Sequence, residues 1–290
     1  MIDLHMHTLY SDGDKTVEEI LKMCEEKKLE YISITDHDTC KQYEDEALKN
    51  NKIFSGKIII GSELQTTFQK RKIEILAYDF DMGIVSKWLE KYYSEEKLMQ
   101  NQKDIWNKVL CVCDKNGLKY DESQIRKPTS IFQFVEPLIY EELMKHEENY
   151  KILDEFTESR TIFFRKGLTN PNSKFCVDYS EFVPKYEEVI KIIHQAGGKA
   201  FFAHPFEYKF DNTFEFMDEL INAAKLDGIE CFHPSAEEDN KKDILVEYAR
   251  KNNLYISGGS DYHGSRKPER SIGIGKGSLN IDKKIVEEWL

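Results

Sequence analysis

Residues 3–13 read DLHMHTLYSDG, and the placing of their histidines decides how the rest of the chain is read. Ile2–Met6 has the apolar, alternating character of a short strand. Side chains two apart on a strand leave the same side, so His5 and His7 can reach one shared point, with Asp12 following in the loop. Near the other end, residues 257–264 read SGGSDYHG and repeat the theme: an apolar run, glycines, then Asp261 and His263. Gly258 and Gly259 would let backbone come close to whatever these side chains hold. The chain has only eight histidines, so spending three of them in these two stretches asks for a reason.

Between them the chain alternates strand and helix. Thr16–Lys28 places Val17, Ile20, Leu21 and Cys24 on one helical face; Tyr31–Thr35 is a second strand, Cys40–Asn50 a helix and Lys57–Gly61 a third strand. Glu63–Gln69 and Lys72–Phe80, joined by a polar turn, read as a hairpin. From Ile84 to Lys185 the pattern changes to Lys, Glu, Tyr and long apolar residues at helical spacing, which predicts a helical insertion with its own small core, broken near Pro128 and Pro171. Alternation then resumes with helix Tyr186–Gln195, strand Lys199–His204, helix Thr213–Lys225, strand Gly228–Phe232, helix Glu237–Lys251 and strand Leu254–Gly258. Repeated strand–helix units imply an α/β fold with a parallel sheet, and enough of them can close into a barrel. In such folds the chemistry collects at the carboxyl ends of the strands.

The unusual residues all fall there. His5, His7 and Asp12 follow the first strand; Asp36, His37 and Asp38 the second; Glu63 follows KIIIG; His204 ends KAFFAH; His233 follows GIECF; Asp261 and His263 follow the last. Imidazoles and carboxylates together are what borderline divalent metals bind.

DLHMHTLYSDG, ITDHDT, GSE, FFAHP and SGGSDYHG, in that order, resemble the motif series of the polymerase and histidinol phosphatase (PHP) superfamily of metal-dependent phosphoesterases. The resemblance covers about Met1–Asp81 and Gly197–Lys276. It implies a distorted, seven-stranded (β/α) barrel over residues 1–83 and 186–290, with 84–185 as a helical cap, and two or three divalent ions, manganese, zinc or iron. Carried over by position, His5, His7, Glu63 and Asp261 would hold one ion; Glu63 would bridge to a second held also by His204; Asp12, His37 and His263 would hold a third. Members often have histidine where KIEILAY places Glu74, which implies a more oxygen-rich second site, favouring manganese over zinc. A Gly-Arg-Pro-His type segment of related small phosphoesterases survives only as IRKPTS, with Arg126 but no histidine.

The implied activity is hydrolysis of a small phosphorylated metabolite, a nucleotide or sugar phosphate, by attack of a metal-bound hydroxide. A histidinol-phosphate phosphatase and a catalytically inactive metal-binding module stay open as alternatives. Among the remaining residues His233 is the free candidate for general acid, or else a loop cap. Asp36 is expected to orient His37. Arg266, Lys267 and Arg270 can clamp phosphate or be plain solvated charges. His146 and His194 read as surface or core-edge residues.

Composition sets the outer bounds. Lys and Arg total 41 against 53 Asp and Glu, a formal charge of −12, which predicts no long nucleic acid partner. No apolar run is long enough for a membrane span and the start lacks signal-peptide character, so a cytoplasmic protein without membrane contact is expected. Six scattered cysteines suggest reduced, mostly buried thiols.

Overall fold

The structure is a computed structural model that describes residues 1–131, 133–237 and 241–290. Among these residues eight strands fall into two sheets. β1 (Ile2–Asp3), β2 (Tyr31–Ile32) and β3 (Lys57–Ile58) are parallel, with Ile2 opposite Tyr31 and Tyr31 opposite Lys57. β4 (Gly61–Phe68) and β5 (Arg71–Tyr78) form the expected antiparallel hairpin, with Gly61 opposite Tyr78. β5 continues antiparallel to β6 (Lys199–Phe202), followed in parallel by β7 (Gly228–Phe232) and β8 (Tyr255–Gly258).

The expectation of a distorted, seven-stranded barrel is therefore corrected, since the strands form two sheets and no closed barrel. The two sheets, of three and five strands, meet through isolated bridges, His37 to Glu63 on one side and Met6 to Tyr262 on the other, and through single hydrogen bonds such as that from the Leu4 amide to the Gly258 carbonyl. Two features prevent a continuous barrel. The hairpin β4–β5 interrupts the parallel strand–helix repeat, and β1–β3 are only two residues long because the chain then turns its polar residues inward. The α/β class stands, with residues that end strands brought to one face.

Local sequence explains the helices that frame it. Helix Val17–Glu26 starts at a capping box in which Thr16 accepts from the Glu19 amide and Glu19 from that of Thr16, and it buries the predicted face Val17, Ile20, Leu21 and Cys24. Helix Tyr186–Gln195 buries Tyr186, Val189, Ile190, Ile192 and Ile193, and the chain leaves it through Gly197 at φ 79°, a conformation glycine adopts without penalty. Helix Thr213–Ala223 packs on the same apolar layer. The start of the helix expected from Glu237 lies partly outside the described residues; its described part is Lys241–Lys251.

The segment 84–185 is mostly helical, including Glu95–Lys115 and Glu136–Leu143. Trp106, Val109, Leu138, Phe163, Phe175 and Tyr179 belong to a cluster of buried side chains distinct from the sheet cores. Its leading helix, Met82–Tyr93, instead sends Val85 and Leu89 into the main core. The returning chain is tied to β4, where the Thr67 amide and the Thr66 hydroxyl both donate to the Pro184 carbonyl.

Candidate metal centre

The segment after β1 is held between two neighbours. The Thr35 amide donates to the Met6 carbonyl, the Asp261 amide to the His5 carbonyl and the His7 amide to the Tyr262 carbonyl. This extended backbone delivers His5 and His7 to one side: their Nε2 atoms lie 3.1 Å apart. Glu63 Oε2 is 3.2 Å from each, and Asp261 Oδ1 is 3.5 Å from His5 and 3.3 Å from His7. All four side chains are buried. Two imidazole nitrogens and two carboxylates facing each other at that range, with water excluded, fit a cation among them better than they fit one another.

The adjoining groups fit in the same way. Asp12 Oδ1 is buried with no hydrogen-bond partner, yet it faces His263 Nε2 at 3.2 Å, His7 Nδ1 at 3.6 Å and His37 Nε2 at 3.7 Å. Glu63 Oε1 is 2.8 Å from His204 Nε2, and Glu74 Oε2 is 3.6 Å from that same nitrogen. His37 Nδ1 is 3.3 Å from Glu63 Oε2, so Glu63 stands between the groups. Every one of the nine expected ligands falls into a cluster whose donor atoms can share an ion.

Protonation follows from the crowding. Burial works against Glu63 as an anion, but the charges of His5 and His37 hold it well below the usual carboxylate range. Burial likewise opposes Asp12 and Asp261, which are held low by His263 and His37 and by Lys267 and Arg270 respectively. Burial, with His7 and Lys267 nearby, pushes His263 down to about 4, which leaves its lone pair free to bind a metal. Three residues of the site, His204 at φ 28°, Asp38 at φ 53° and Asp261 at φ 49°, take left-handed values that are uncommon for residues other than glycine, as do several turn residues elsewhere in the chain.

Other expected residues land differently. Asp36 does not touch His37: its Oδ1 accepts from the Thr8 amide at 2.8 Å and the Ser11 hydroxyl at 2.5 Å, and its Oδ2 from the Thr8 hydroxyl at 2.7 Å. It shapes the loop after His7, because a carboxylate on a strand end beside a turn satisfies amide donors first. His233 is buried with Nε2 3.3 Å from Asp261 Oδ2, and burial lowers its pKa. Lys267 Nζ is 2.8 Å from Asp261 Oδ2 and Arg270 Nη1 contacts the same oxygen, while Arg270 Nη2 is 2.9 Å from Glu207. Arg266 lines the cleft, and Arg126 lines it from the insertion while exposed and 3.0 Å from Glu141. His146 and His194 pair with Glu142 and Asp227, away from the clusters.

Four contributors escape a reading of the motifs. Glu230 Oε1 holds His5 Nδ1 at 2.8 Å, and its Oε2 accepts from the His204 amide. A glutamate inside the apolar run GIECF was its visible signal. Asp3 accepts from the Ser260 and Gly273 amides and so pins the last motif to the first. Arg165, from the insertion, is 3.1 Å from Glu74, and the Tyr208 hydroxyl is 3.3 Å from it; neither had any local signal.

The clusters open into a cleft of about 780 Å³, walled on one side by Glu63, His204 and Asp261 and on the other by Arg126, Thr129, Arg160 and Arg165 of the insertion. Among the described residues no helix is long and apolar enough to cross a membrane.

Residues 3–257 match the PHP domain family. The chain is 24% identical over 269 residues to the phosphoribosyl 1,2-cyclic phosphate 1,2-diphosphodiesterase of Eggerthella lenta, covering 90% of this chain and 94% of that one. It is 26% identical over 291 residues to a 5′-3′ exoribonuclease of Haemophilus influenzae, covering 99% and 97%. Its fold is similar to the crystal structure of a Bifidobacterium adolescentis protein described as a candidate metal-dependent phosphoesterase, with a TM-score of 0.66, 22% identity and coverage of 99% and 94%. The exoribonuclease overturns the expectation of no long nucleic acid partner. Net charge averages over the whole surface, whereas Arg126, Arg160, Arg165, Arg266, Lys267 and Arg270 gather around a single cleft.

Proposed function

Because this chain belongs to the PHP family, we propose that it hydrolyses a phosphate ester at ions held by His5, His7, Asp12, His37, Glu63, Glu74, His204, Asp261 and His263. The preferred substrate is a small phosphorylated metabolite, a nucleotide or a sugar phosphate. The observation that carries this reading is the facing of His5, His7, Glu63 and Asp261 within 3.5 Å at the floor of a cleft whose other wall carries Arg126, Arg160 and Arg165. Divalent ions bound there supply Lewis acidity, lowering the pKa of water from ~15.7 toward about 7 and offsetting charge on phosphoryl oxygens.

The chain's own residues do the rest. Lys267 and Arg270 now spend their charge on Asp261. Beside that carboxylate, whose other oxygen would face an ion, the two cations would offer their remaining N–H donors to the phosphoryl oxygens, Arg as a two-pronged donor. Arg126 and Arg266 receive the remoter part of the substrate at the mouth. His233, which burial biases toward the neutral form, orients Asp261 through its Nε2 rather than delivering a proton. A cleft of about 780 Å³ suits a ligand the size of a nucleotide. A second reading, removal of the terminal nucleotide of RNA, is favoured by the exoribonuclease relative, which spans nearly the whole of both chains.

The test is hydrolysis of p-nitrophenyl phosphate by manganese-loaded protein against a chelated sample, followed by adenosine 3′,5′-bisphosphate, sugar phosphates and a 5′-phosphorylated RNA oligomer. Activity that requires the metal and disappears in Glu63→Ala is expected. No turnover of any of these esters, nor of histidinol phosphate, after loading with manganese, zinc or iron leaves only the inactive metal-binding module.

A further inference from the structure

Lys72 precedes Glu74 by two residues on β5, so both side chains leave the same face of the strand. Glu74 reaches the metal cluster; Lys72 ends farther out, beneath the insertion. Although it is only 5% exposed, Lys72 has neither a hydrogen bond nor a carboxylate oxygen within 4.0 Å among the described residues. Its ammonium lies instead over the faces of three rings of the insertion, Phe134 at 4.9 Å, Tyr179 at 5.7 Å and Phe164 at 5.8 Å. Ring faces attract a cation, at about 0.5–2 kcal/mol each, but accept none of its three N–H donors in conventional hydrogen bonds. The Lys72 Nζ is not sealed off but open to the space it lines, and Glu136, Glu74 and Asp38 balance its charge from beyond 4.0 Å, so its N–H donors are turned toward the cleft rather than toward protein acceptors.

The position shows what those donors face. Lys72 lines the metal-side cleft and also a second cleft of about 490 Å³, whose wall mixes Leu89, Tyr93, Ile105 and Phe182 with carboxylates such as Glu90 and Glu95, so an anion is met by a cation there chiefly at its Lys72 end. His37, Asp12 and Phe134 are common to both, so the two spaces meet at the metal centre with Lys72 at the junction. Phe134 makes the link tangible, with one contact to Lys72 and an edge-on contact to the His37 ring at 6.4 Å.

We infer that Lys72 contacts the substrate, its ammonium binding a second anionic group, phosphate or carboxylate, that lies at the junction of the two clefts, away from the scissile ester. This rests on the phosphoesterase reading and narrows it to esters that carry two separated anions. The aromatic cage holds the cation in place and leaves its donors for the ligand.

The experiment compares kcat/KM for adenosine 3′,5′-bisphosphate with that for p-nitrophenyl phosphate, which has no second anion. In Lys72→Met the ratio falls tenfold or more, chiefly through KM, and Lys72→Arg, which keeps the charge, recovers most of it. Lys72→Gln takes the place of Lys72→Met should the latter not fold. A ratio within twofold of wild type in the uncharged variant overturns the assignment, including the case where both substrates are lost equally. Calorimetric titration of the chelated proteins with the bisphosphate gives an arm independent of turnover: weaker binding in the uncharged variant is expected, and equal binding refutes the contact. Absence of all hydrolysis defeats the phosphoesterase reading while this binding comparison still decides Lys72.

Discussion

Glu230 Oε1 lies 2.8 Å from Nδ1 of His5, with both side chains wholly buried. The contact fixes which nitrogen of His5 carries the proton, leaves Nε2 facing His7 and Glu63, and strengthens the imidazole as a donor. Glu230→Gln keeps the shape and removes the charge. Manganese affinity is expected to fall about 10–100-fold, the range typical of carboxylates behind a metal-bound histidine. Equilibrium dialysis measures it, and an unchanged affinity would mean that Glu230 only fills space.

Gly259 sits against the first motif so closely that an added Cβ would lie 2.3 Å from the His5 amide nitrogen and 2.7 Å from Asp3 Oδ1. The nearest atoms are the His5 backbone nitrogen and its Cβ, and the third is an Asp3 oxygen already tied to backbone amides, so little can yield cheaply. Gly259→Ala is therefore expected to destabilise the protein by about 1–3 kcal/mol, as overpacking does, and to loosen the ion site with it. Urea denaturation gives the first number and metal stoichiometry the second. Wild-type values for both would show that the two terminal motifs do not need this contact.

That contact also shows where the sequence was legible. Polar residues placed after apolar runs are a local signal, and a histidine pair two apart on a strand has one geometric meaning, so His5, His7, Glu63, His204 and Asp261 were readable. Helix faces such as Val17, Ile20, Leu21 and Cys24 were readable for the same reason. Closure was not. Whether short strands join into a barrel depends on hydrogen bonds between residues as distant as Met6 and Tyr262, and here the joints are isolated bridges and single hydrogen bonds. The partners of Glu74 were hidden likewise, since Arg165 arrives from a chain segment 91 residues away. Asp36 was misread because its loop amides, invisible in a motif, compete for the carboxylate.

The insertion carries its own charge-dependent stability. Glu142 accepts from Lys145 Nζ at 2.7 Å and from His146 Nε2 at 3.0 Å, and the Lys145 hydrogen bond leads in lowering its pKa from 4.5 to about 2. A carboxylate depressed on folding stabilises above its unfolded pKa and loses that contribution as pH falls through its folded value. Glu142→Gln should thus melt lower than wild type at pH 7, by roughly 2–4 °C for the ~1 kcal/mol such a contact contributes. The gap should shrink between pH 4.5 and about 2. Melting curves across that window check it; a gap independent of pH would assign the loss to packing.

Arg165 and Glu74 form a pair, 3.1 Å apart, that joins the insertion to the metal clusters, and both are nearly buried at 12% and 8% side-chain exposure. Breaking a buried pair by removing one member costs about 3–5 kcal/mol, because the remaining charge has lost its compensation. Glu74, however, also belongs to a cluster with His37 and Glu63 able to share an ion. Added metal can therefore replace the missing guanidinium. Arg165→Met is expected to lose those 3–5 kcal/mol in the chelated protein and to regain part of them with manganese, by more than manganese stabilises wild type. Thermal melts of both proteins, with chelator and with manganese, form the cycle that measures it. The same deficit in both conditions would show that no ion reaches Glu74, and that its carboxylate serves Arg165 and Tyr208 alone.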